Sequence, residues 1–232
     1  MIEASAVKIS IALDGPAGSG KSTVAKLVAR RFGYIYIDTG AMYRAVTLKA
    51  LKHQIDLGHD LKLTELAENT DIVLDYDYQG VDPVLQVFLD GINVSDEFRT
   101  LEVTNNVSVV AAVAGVREAL VALQQDMAKK GGVVMDGRDI GTVVLPKAEL
   151  KVFLVASVEE RSRRRQAELK IKGIDVDLAE MISQIEKRDY IDSHREVNPL
   201  RQADDAILLD TTAFNIEQVV EQIVALAISR GA

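Results

Sequence analysis

The sequence predicts an α/β fold in which a parallel β-sheet is flanked by helices. Short apolar runs alternate with amphipathic stretches long enough to form helices, which is the pattern of βαβ units. A glycine-rich segment joins the first apolar run, Ile9–Leu13, to the first helical stretch, Ser22–Phe32. The alternation is interrupted once, between Ile72 and Val94, where short extended runs follow one another directly. We therefore expect an α/β core that carries a small antiparallel insert.

The remaining core elements follow the same alternation. The second strand is predicted at Tyr34–Ile37, and the helix after it runs from Ala41 to Lys52. Three further strands are predicted at Val133–Met135, Lys151–Val155 and Ala206–Leu209. Candidate helix N-caps are the residues followed three positions later by Glu or Gln, which are Ser157, Asp177 and Asn215.

The insert is predicted to be a three-stranded antiparallel lobe. Gln79-Gly80 and Asp90-Gly91 divide Ile72–Val94 into three extended runs. Asp-Gly between extended runs is a strong signal for a hairpin turn. Two helical stretches, Thr100–Ala114 and Gly115–Lys130, follow the lobe.

Composition excludes several classes of protein. The net charge of −8 disfavours a surface devoted to nucleic acid, and the absence of cysteine excludes disulfides and thiolate chemistry. The start of the chain lacks the basic flank and apolar run of a secretory signal. No stretch of about 18 unbroken apolar residues is present to cross a membrane. We expect a soluble cytoplasmic protein that binds neither membrane nor nucleic acid.

A phosphate-binding loop is the strongest motif in the chain. It fits G-x-x-x-x-G-K-[ST] between an apolar strand and a helix, and it reads Gly15-Pro16-Ala17-Gly18-Ser19-Gly20-Lys21-Ser22, with Thr23 next. The glycines allow successive backbone N–H groups to face phosphates, and the helix N-terminus adds partial positive charge. Lys21 is predicted to reach the terminal phosphates of ATP, and the Ser22 hydroxyl to bind Mg²⁺.

A second magnesium ligand is predicted at the end of a later strand. Asp136 follows the apolar run Val133–Met135, and a carboxylate at such a position can hold Mg²⁺ directly or through water. Asp136-Gly137 also fits a plain surface turn.

Arginines scattered along the chain are candidates for binding an acceptor phosphate. They are Arg44, Arg117, Arg138 with its neighbour Asp139, and the set Arg188, Asp192 and Arg195, which is spaced to share one helix face. Each taken singly also fits an exposed surface residue, and Arg188 with Asp192 a surface pair. Next to a phosphate loop, however, phosphoryl transfer requires cations around two phosphate chains.

A lid is predicted in the stretch after the strand Lys151–Val155. Arg161, Arg164 and Arg165 fall on one face of a helix, in a segment where ten basic and ten acidic residues lie between positions 158 and 201. A helix of this kind can close over ATP phosphates and exclude water. A solvated charged face is the simpler alternative.

The combined motifs resemble the bacterial cytidylate kinases over essentially the whole chain. The resemblance is carried by four segments, which are Ile11–Ser22, Asp38–Arg44, Asp136–Val144 and Lys187-Arg188-Asp189 leading to Arg195. It implies a P-loop NTPase-type five-stranded parallel sheet, with the antiparallel insert as the NMP-binding lobe and a helical lid. The implied division is core at 1–62, lobe at 63–114, core at 115–156, lid at 157–176 and core at 177–232.

The resemblance also implies the activity and the site. ATP with Mg²⁺ would phosphorylate CMP or dCMP, on a monomer. Arg44, Arg138 and Arg195 would hold the CMP phosphate, while Arg188 and Asp192 would meet the ribose. Ser108, Arg117 and Asp139 would read cytosine, with Thr39 lining the pocket at a position where the family often carries Ser. The catalytic set would be Lys21, Asp136, Arg138, Arg188 and Arg195, and the lid arginines Arg161 and Arg164 would bind ATP.

The base assignment is chemically consistent. Cytosine presents an amine donor beside the acceptors N3 and O2, which suit a carboxylate such as Asp139 and a guanidinium such as Arg117. Two other functions remain open from the residues alone. One is a P-loop kinase of a small metabolite such as shikimate or gluconate, and the other is a nucleotide-dependent switch that phosphorylates nothing.

Overall fold

The computed structural model describes residues 8–77, 84–171 and 173–232, which fall into two units. The first unit comprises Met1–Ile37 with Met127–Ala232, and the second is Asp38–Asp126. The chain therefore leaves the first unit once and returns to it once, as expected for an insert in an α/β core.

A five-stranded sheet forms the first unit. Its strands are β1 (Ser10–Asp14), β2 (Ile35–Asp38), β6 (Val133–Gly137), β7 (Leu150–Val155) and β8 (Ile207–Asp210). The other three strands lie in the second unit and are β3 (Ile72–Asp77), β4 (Val84–Leu89) and β5 (Ile92–Asn93). The order in the large sheet is β2-β6-β1-β7-β8. Strand β1 pairs in parallel with β6 and β7, and β7 pairs in parallel with β8. The predicted parallel sheet is confirmed. Because parallel strands end at one edge, the segments after β1 and β6 leave the sheet side by side.

Helices of the first unit pack against this sheet. The helices of the first unit are α1 (Lys21–Phe32), α6 (Val158–Ile171), α7 (Leu178–His194) and α8 (Ile216–Ser229). The helices of the second unit are α2 (Thr39–Lys52), α3 (Asp60–Glu68), α4 (Leu101–Val110) and α5 (Ala114–Ala128), whose last two residues belong to the first unit. Helix α8 buries Val220, Ile223 and Ala227, spaced three and four residues apart as one helix face requires.

The predicted N-caps are each found at a helix start. The Asn215 side chain accepts from the Gln218 N–H, and the Gln218 side chain accepts from the Asn215 N–H, so this capping box is complete. Asp177 accepts from two N–H groups of the first turn of α7, and the Ser157 hydroxyl accepts from the Glu160 N–H. These bonds pair backbone donors that have no partner inside the helix.

The second unit contains the predicted antiparallel sheet, in the order β3-β4-β5. Ile72 pairs with Leu89, and Leu89 pairs with Ile92. The Asp90-Gly91 turn has φ of 50° and 79° at its two residues, the positive values that a tight hairpin requires. The other predicted turn, Gln79-Gly80, lies outside the described residues.

Three sequence predictions need correction. Helix α3 was not predicted, because only Leu63 and Ala67 are buried on it and the periodic signal is weak. The helical stretch Thr100–Ala114 ends at Val110, and Ala114 begins the next helix. Arg195 does not share the helix face of Arg188 and Asp192, because α7 ends at His194 and Arg195 is extended, with ψ of 144°.

The described residues contain no single helix long and apolar enough to span a membrane. Helices α4 and α5 meet that length and composition test only as a pair, and the pair is bent by 100°.

Candidate active site

The phosphate loop follows the central strand β1 and leads into α1, as predicted. Gly15 has a φ of 145°, and a Cβ built on it would lie 2.0 Å from the carbonyl oxygen of Leu154 on the neighbouring β7. No side chain fits in that space, so the loop must begin with glycine. Gly20, in the left-handed conformation, precedes the first residue of α1.

Lys21 lies against this loop. Its Nζ donates to the carbonyl of Pro16 at 2.6 Å and to the hydroxyl of Ser19 at 3.2 Å, and the residue is 5% exposed. Burial, together with the nearby charge of Arg138, holds the pKa of Lys21 well below its usual range. Negative phosphate oxygens at this position would offset both effects and favour the charged ammonium. Lys21 is therefore placed for the phosphate contact predicted from its motif.

The two predicted magnesium ligands are in contact. The Ser22 hydroxyl donates to Asp136 Oδ2 at 2.8 Å, and the Tyr36 hydroxyl donates to Asp136 Oδ1 at 2.7 Å. Within the described parts of the chain, no group of three or more His, Cys, Asp or Glu residues could hold a metal ion. A hydroxyl and one carboxylate nevertheless fit Mg²⁺, which binds few protein oxygens and keeps waters and substrate phosphates as its other ligands.

Five residues predicted to bind the acceptor interact between the turn after β6 and the segment at the end of α7. This acceptor cluster consists of Arg138, Asp139, Arg188, Asp192 and Arg195. Arg138 Nε donates to Asp192 Oδ2 at 2.7 Å, and Arg195 Nη2 lies 3.5 Å from Asp139 Oδ1. Burial alone would raise the pKa of Asp192, but the charges of Arg138 and Arg188, with the hydrogen bond from Arg138, lower it. Five predicted residues thus interact within the first unit.

Arg195 of this cluster is also bound to the backbone of the segment after α7. The guanidinium of Arg195 donates twice to the carbonyl of Asn198, and its side chain is 2% exposed. The Arg138 side chain is 18% exposed, so this residue keeps access to solvent. Burial by itself would lower the pKa of Arg138, yet the carboxylate of Asp192 raises it, so the group stays charged.

Four predicted residues, Thr39, Arg44, Ser108 and Arg117, belong to the second unit. Arg117 is 1% exposed, donates to the carbonyl of Ala111 at 3.1 Å and lies over the ring of Tyr43, 5.4 Å from its centroid. The ring face of Tyr43 attracts the guanidinium and so stabilises its buried position. Thr39 and Ser108 are buried, and Arg44 is half-buried.

The predicted lid arginines contact protein oxygens. Arg161 donates to the carbonyls of Ala17 and Ala156 and pairs with Asp189 at 2.6 Å, which ties α6 to the phosphate loop and to α7. Arg164 donates to Glu160 and Thr211. Arg161 is buried, so the predicted arginine face is not a uniformly solvated surface.

Sequence reasoning missed three residues that contact the site. Tyr36 holds Asp136, Thr211 connects Arg164 to the carbonyl of Val155, and Asp14 lies at the end of β1. Only Asp14 carried a signal in the sequence, because a carboxylate at the carboxyl end of a central parallel strand lies where ligands bind in α/β folds.

The sheet, the phosphate loop with its buried lysine, and the Ser–Asp pair define a P-loop protein that binds nucleoside triphosphates. The family model for cytidylate kinase matches residues 11–229 of the chain. A cytidylate kinase from Desulforamulus reducens is 58% identical over 214 residues, which cover 92% of this chain and 94% of that protein. A cytidylate kinase from Exiguobacterium sibiricum is 58% identical over 220 residues, covering 95% and 97%. The chain belongs to the cytidylate kinase family.

A solved structure also matches the fold. An uncharacterized protein from Eubacterium ventriosum aligns with 96% of this chain and 99% of its own, with a TM-score of 0.52 and 12% identity. At this identity the similarity supports the fold alone.

Proposed function

We infer that this chain is an ATP-dependent nucleoside monophosphate kinase that converts CMP, and also dCMP, to the diphosphate. Membership of the cytidylate kinase family supports the reaction. The observation that carries the proposal is the cluster of Arg138, Asp139, Asp192 and Arg195, joined by ion pairs in the unit that also carries the phosphate loop. A second phosphate needs cations of its own, and this cluster supplies them.

The acceptor phosphate is proposed to bind Arg138 and Arg195, with Arg44 from the second unit. Guanidinium groups bind phosphate through paired N–H donors, and those of Arg138 and Arg195 are already oriented by carboxylates. Arg188 and Asp192 are proposed to meet the ribose hydroxyls.

The cytosine base is proposed to bind Asp139, Arg117 and Ser108, and Thr39 is a further proposed substrate-binding residue. Asp139 would accept from the exocyclic amine, and Arg117 would donate to N3 or O2. Uracil would place its O4 against the carboxylate, so two acceptors would face each other. The proposed set therefore favours CMP over UMP.

ATP is proposed to bind the loop Gly15–Ser22 and the N-terminus of α1, with Thr23 in its first turn. The loop amides and helix dipole favour the phosphate charge, and Lys21 supplies a cation. Arg161 and Arg164 remain predicted ATP-binding residues. Arg161 already reaches the loop through the carbonyl of Ala17.

Magnesium is proposed to be held by the hydroxyl of Ser22 and the carboxylate of Asp136, directly or through water. When bound, Mg²⁺ neutralises the charge of the phosphate oxygens. Tyr36 holds the Asp136 carboxylate in place through its hydrogen bond.

The reaction is proposed to be an in-line displacement. An oxygen of the CMP phosphate forms a bond to the γ-phosphorus, the bond from that phosphorus to the bridging oxygen breaks, and ADP leaves with the electron pair. The acceptor is already negatively charged at neutral pH, so no general base is required. The residues contribute alignment and charge stabilisation through Lys21, Arg138, Arg188 and Arg195.

Other assignments complete the proposal. The segment 157–176 is proposed to act as the lid and 63–114 as the NMP-binding lobe, between core segments at 1–62, 115–156 and 177–232. The chain is also proposed to be a cytoplasmic monomer that binds no nucleic acid and no membrane, and the net charge of −8 supports the absence of nucleic-acid binding.

Direct detection of product tests this function. The chain is incubated with Mg-ATP and CMP, and nucleotides are separated by chromatography to measure CDP and ADP formed in equal amounts. Parallel reactions contain shikimate or gluconate, or no acceptor. CDP formed only with CMP is expected. ATP consumed with a metabolite acceptor would favour a metabolite kinase, and acceptor-independent release of inorganic phosphate would favour a nucleotide switch.

A further inference from the structure

Asp14 is a buried carboxylate that the proposed reaction does not use. It is the last residue of β1, directly before the phosphate loop, and is 5% exposed. Oδ1 accepts from the backbone N–H of Ile140 at 2.8 Å, and Oδ2 accepts from that of Gly141 at 2.7 Å. Both oxygens therefore bind the start of one short turn that follows β6.

That turn carries two residues of the acceptor cluster at its entrance. Residues Ile140–Val144 form a π-helical turn, directly preceded by Arg138 and Asp139. The first N–H groups of a helical turn have no partner within it, and Asp14 accepts from two of them. Beyond the pairing of β1 with β6, these two bonds connect the turn to the residue directly before the phosphate loop.

The fit between the turn and Asp14 is close. A Cβ built on Gly141 would lie 3.3 Å from Asp14 Oδ2 and 3.1 Å from Cδ of Lys151. A side chain at position 141 would have to displace the carboxylate or the lysine. The contact is therefore sensitive to change from either side.

We propose that Asp14 is a positioning residue, which aligns Arg138 and Asp139 with the phosphate loop by holding the 140–144 turn. This role rests on the proposed kinase function, because it matters only if those residues bind the acceptor. It connects the end of the donor site to the start of the acceptor site through a single side chain within the first unit. Asp14 itself need touch no substrate.

The charge of Asp14 fits this role. Burial raises the pKa of its carboxyl to about 6, against the opposing effect of the hydrogen bonds from Gly141 and Ile140. The nearby charged groups are Asp139, which raises this pKa, and Lys21, which lowers it. The ionised form accepts at both oxygens, whereas a proton on one oxygen would face an N–H donor.

The variant Asp14→Asn tests the proposal. It keeps the side-chain shape but places an NH₂ group against one of the two N–H donors. We expect kcat/KM for CMP to fall about 10- to 100-fold, the loss that a misplaced reacting group causes, with a smaller preference for CMP over UMP. The Kd for ATP should stay within about twofold, because the phosphate loop is unchanged. Amide exchange at Ile140 and Gly141 should become faster.

Two further variants complete the design. Asp56→Asn, the same change in an exposed carboxylate that accepts from the backbone N–H of Gly58, should leave all kinetic constants unchanged. Gly141→Ala should lower kcat/KM and the CMP preference in the same direction as Asp14→Asn. The double variant should lose less than the two single losses combined, because both disturb one contact.

The alternative is that Asp14 is only structural. A folded Asp14→Asn with a lower melting temperature but wild-type kcat/KM and CMP preference would overturn the proposal. If that variant does not fold, wild-type values in Gly141→Ala would overturn it equally. A wild-type chain that forms no CDP would instead overturn the proposed function, and the role of Asp14 with it.

Discussion

At the scale of single residues, the site contains buried groups whose charged forms are disfavoured beside ion-paired groups whose charged forms are favoured. Lys21 is the clearest case, since burial and Arg138 both disfavour its ammonium form. Such a group contributes little to the stability of the fold, but the negative charge of a bound polyphosphate would favour its charged form. Buried titratable groups with perturbed pKa values are typical of functional sites.

Lys21→Ala should therefore separate activity from folding. Removing a preorganised cation is expected to lower kcat about 100- to 1,000-fold. The melting temperature should stay close to that of the wild type, because removing the ammonium also removes the cost of burying it. Steady-state rates and thermal melts measure both, with the exposed Lys62→Ala as the matched control. A folded variant with near-normal kcat would contradict the assigned role of Lys21.

Asp139→Ala should reduce discrimination between CMP and UMP. A buried polar group without its partner costs about 1–3 kcal/mol, which corresponds to roughly a five- to 150-fold change in relative kcat/KM. Arg195 lies 3.5 Å from Asp139, so Asp139→Asn serves as the milder variant that keeps an oxygen acceptor. Competition between the two nucleotides measures the ratio. An unchanged ratio in both variants would remove Asp139 from the base site.

Asp14 should leave a signature in the pH dependence of stability. Its folded-state pKa of about 6 exceeds the unfolded value of 3.8, so its stabilising contribution is complete below 3.8 and is lost as the pH rises through 6. Between pH 5 and pH 7 the wild type should lose about 1 kcal/mol of unfolding free energy relative to Asp14→Asn. Denaturant melts of both proteins measure this difference. Parallel pH profiles would show that the carboxyl titrates normally.

At the scale of elements, the sequence predicts what is local. The phosphate loop is contiguous, so its glycines, Lys21 and Ser22 appear as one motif beside a strand and a helix. The Asp-Gly hairpin and the N-caps are equally local. Contacts between distant positions are not predictable in this way: Asp14 and Ile140 are 126 residues apart, and Tyr36 and Asp136 are 100 apart. Helix α3 was missed because two buried residues give too weak a period.

The buried Arg161 makes a prediction about helix α6. Its planar guanidinium reaches Ala17, Ala156 and Asp189 at once, a geometry that lysine cannot reproduce. Arg161→Lys should lower the unfolding free energy by about 1–3 kcal/mol and weaken ATP binding, because the carbonyl of Ala17 loses its donor. Calorimetry measures both quantities.

The control for this variant lies on the same helix. The side chain of Arg163 is 63% exposed, so Arg163→Lys should change neither stability nor the Kd for ATP. Equal behaviour of the two variants would show that the buried contacts of Arg161 do not support the phosphate loop.

At the scale of the whole molecule, the two units carry different parts of the predicted site. The first unit holds the phosphate loop, the Ser22–Asp136 pair and the acceptor cluster. Hydrogen bonds and ion pairs within that unit hold these groups in place. The second holds Thr39, Arg44, Ser108 and Arg117, for which resemblance to the family was the main guide. The reaction class thus follows from the loop, whereas the residues predicted to select the acceptor are divided between the two units.

The central claim is that the acceptor is CMP, and a coupled assay of ADP release tests it most directly. Mg-ATP is supplied with CMP, dCMP, UMP or AMP in parallel, and Lys21→Ala gives the background rate. Fast release with CMP and dCMP, and slow release with UMP and AMP, is the predicted result. Release with none of the four, from folded protein that still binds ATP, would contradict the acceptor site and support only the assignment of the phosphate loop.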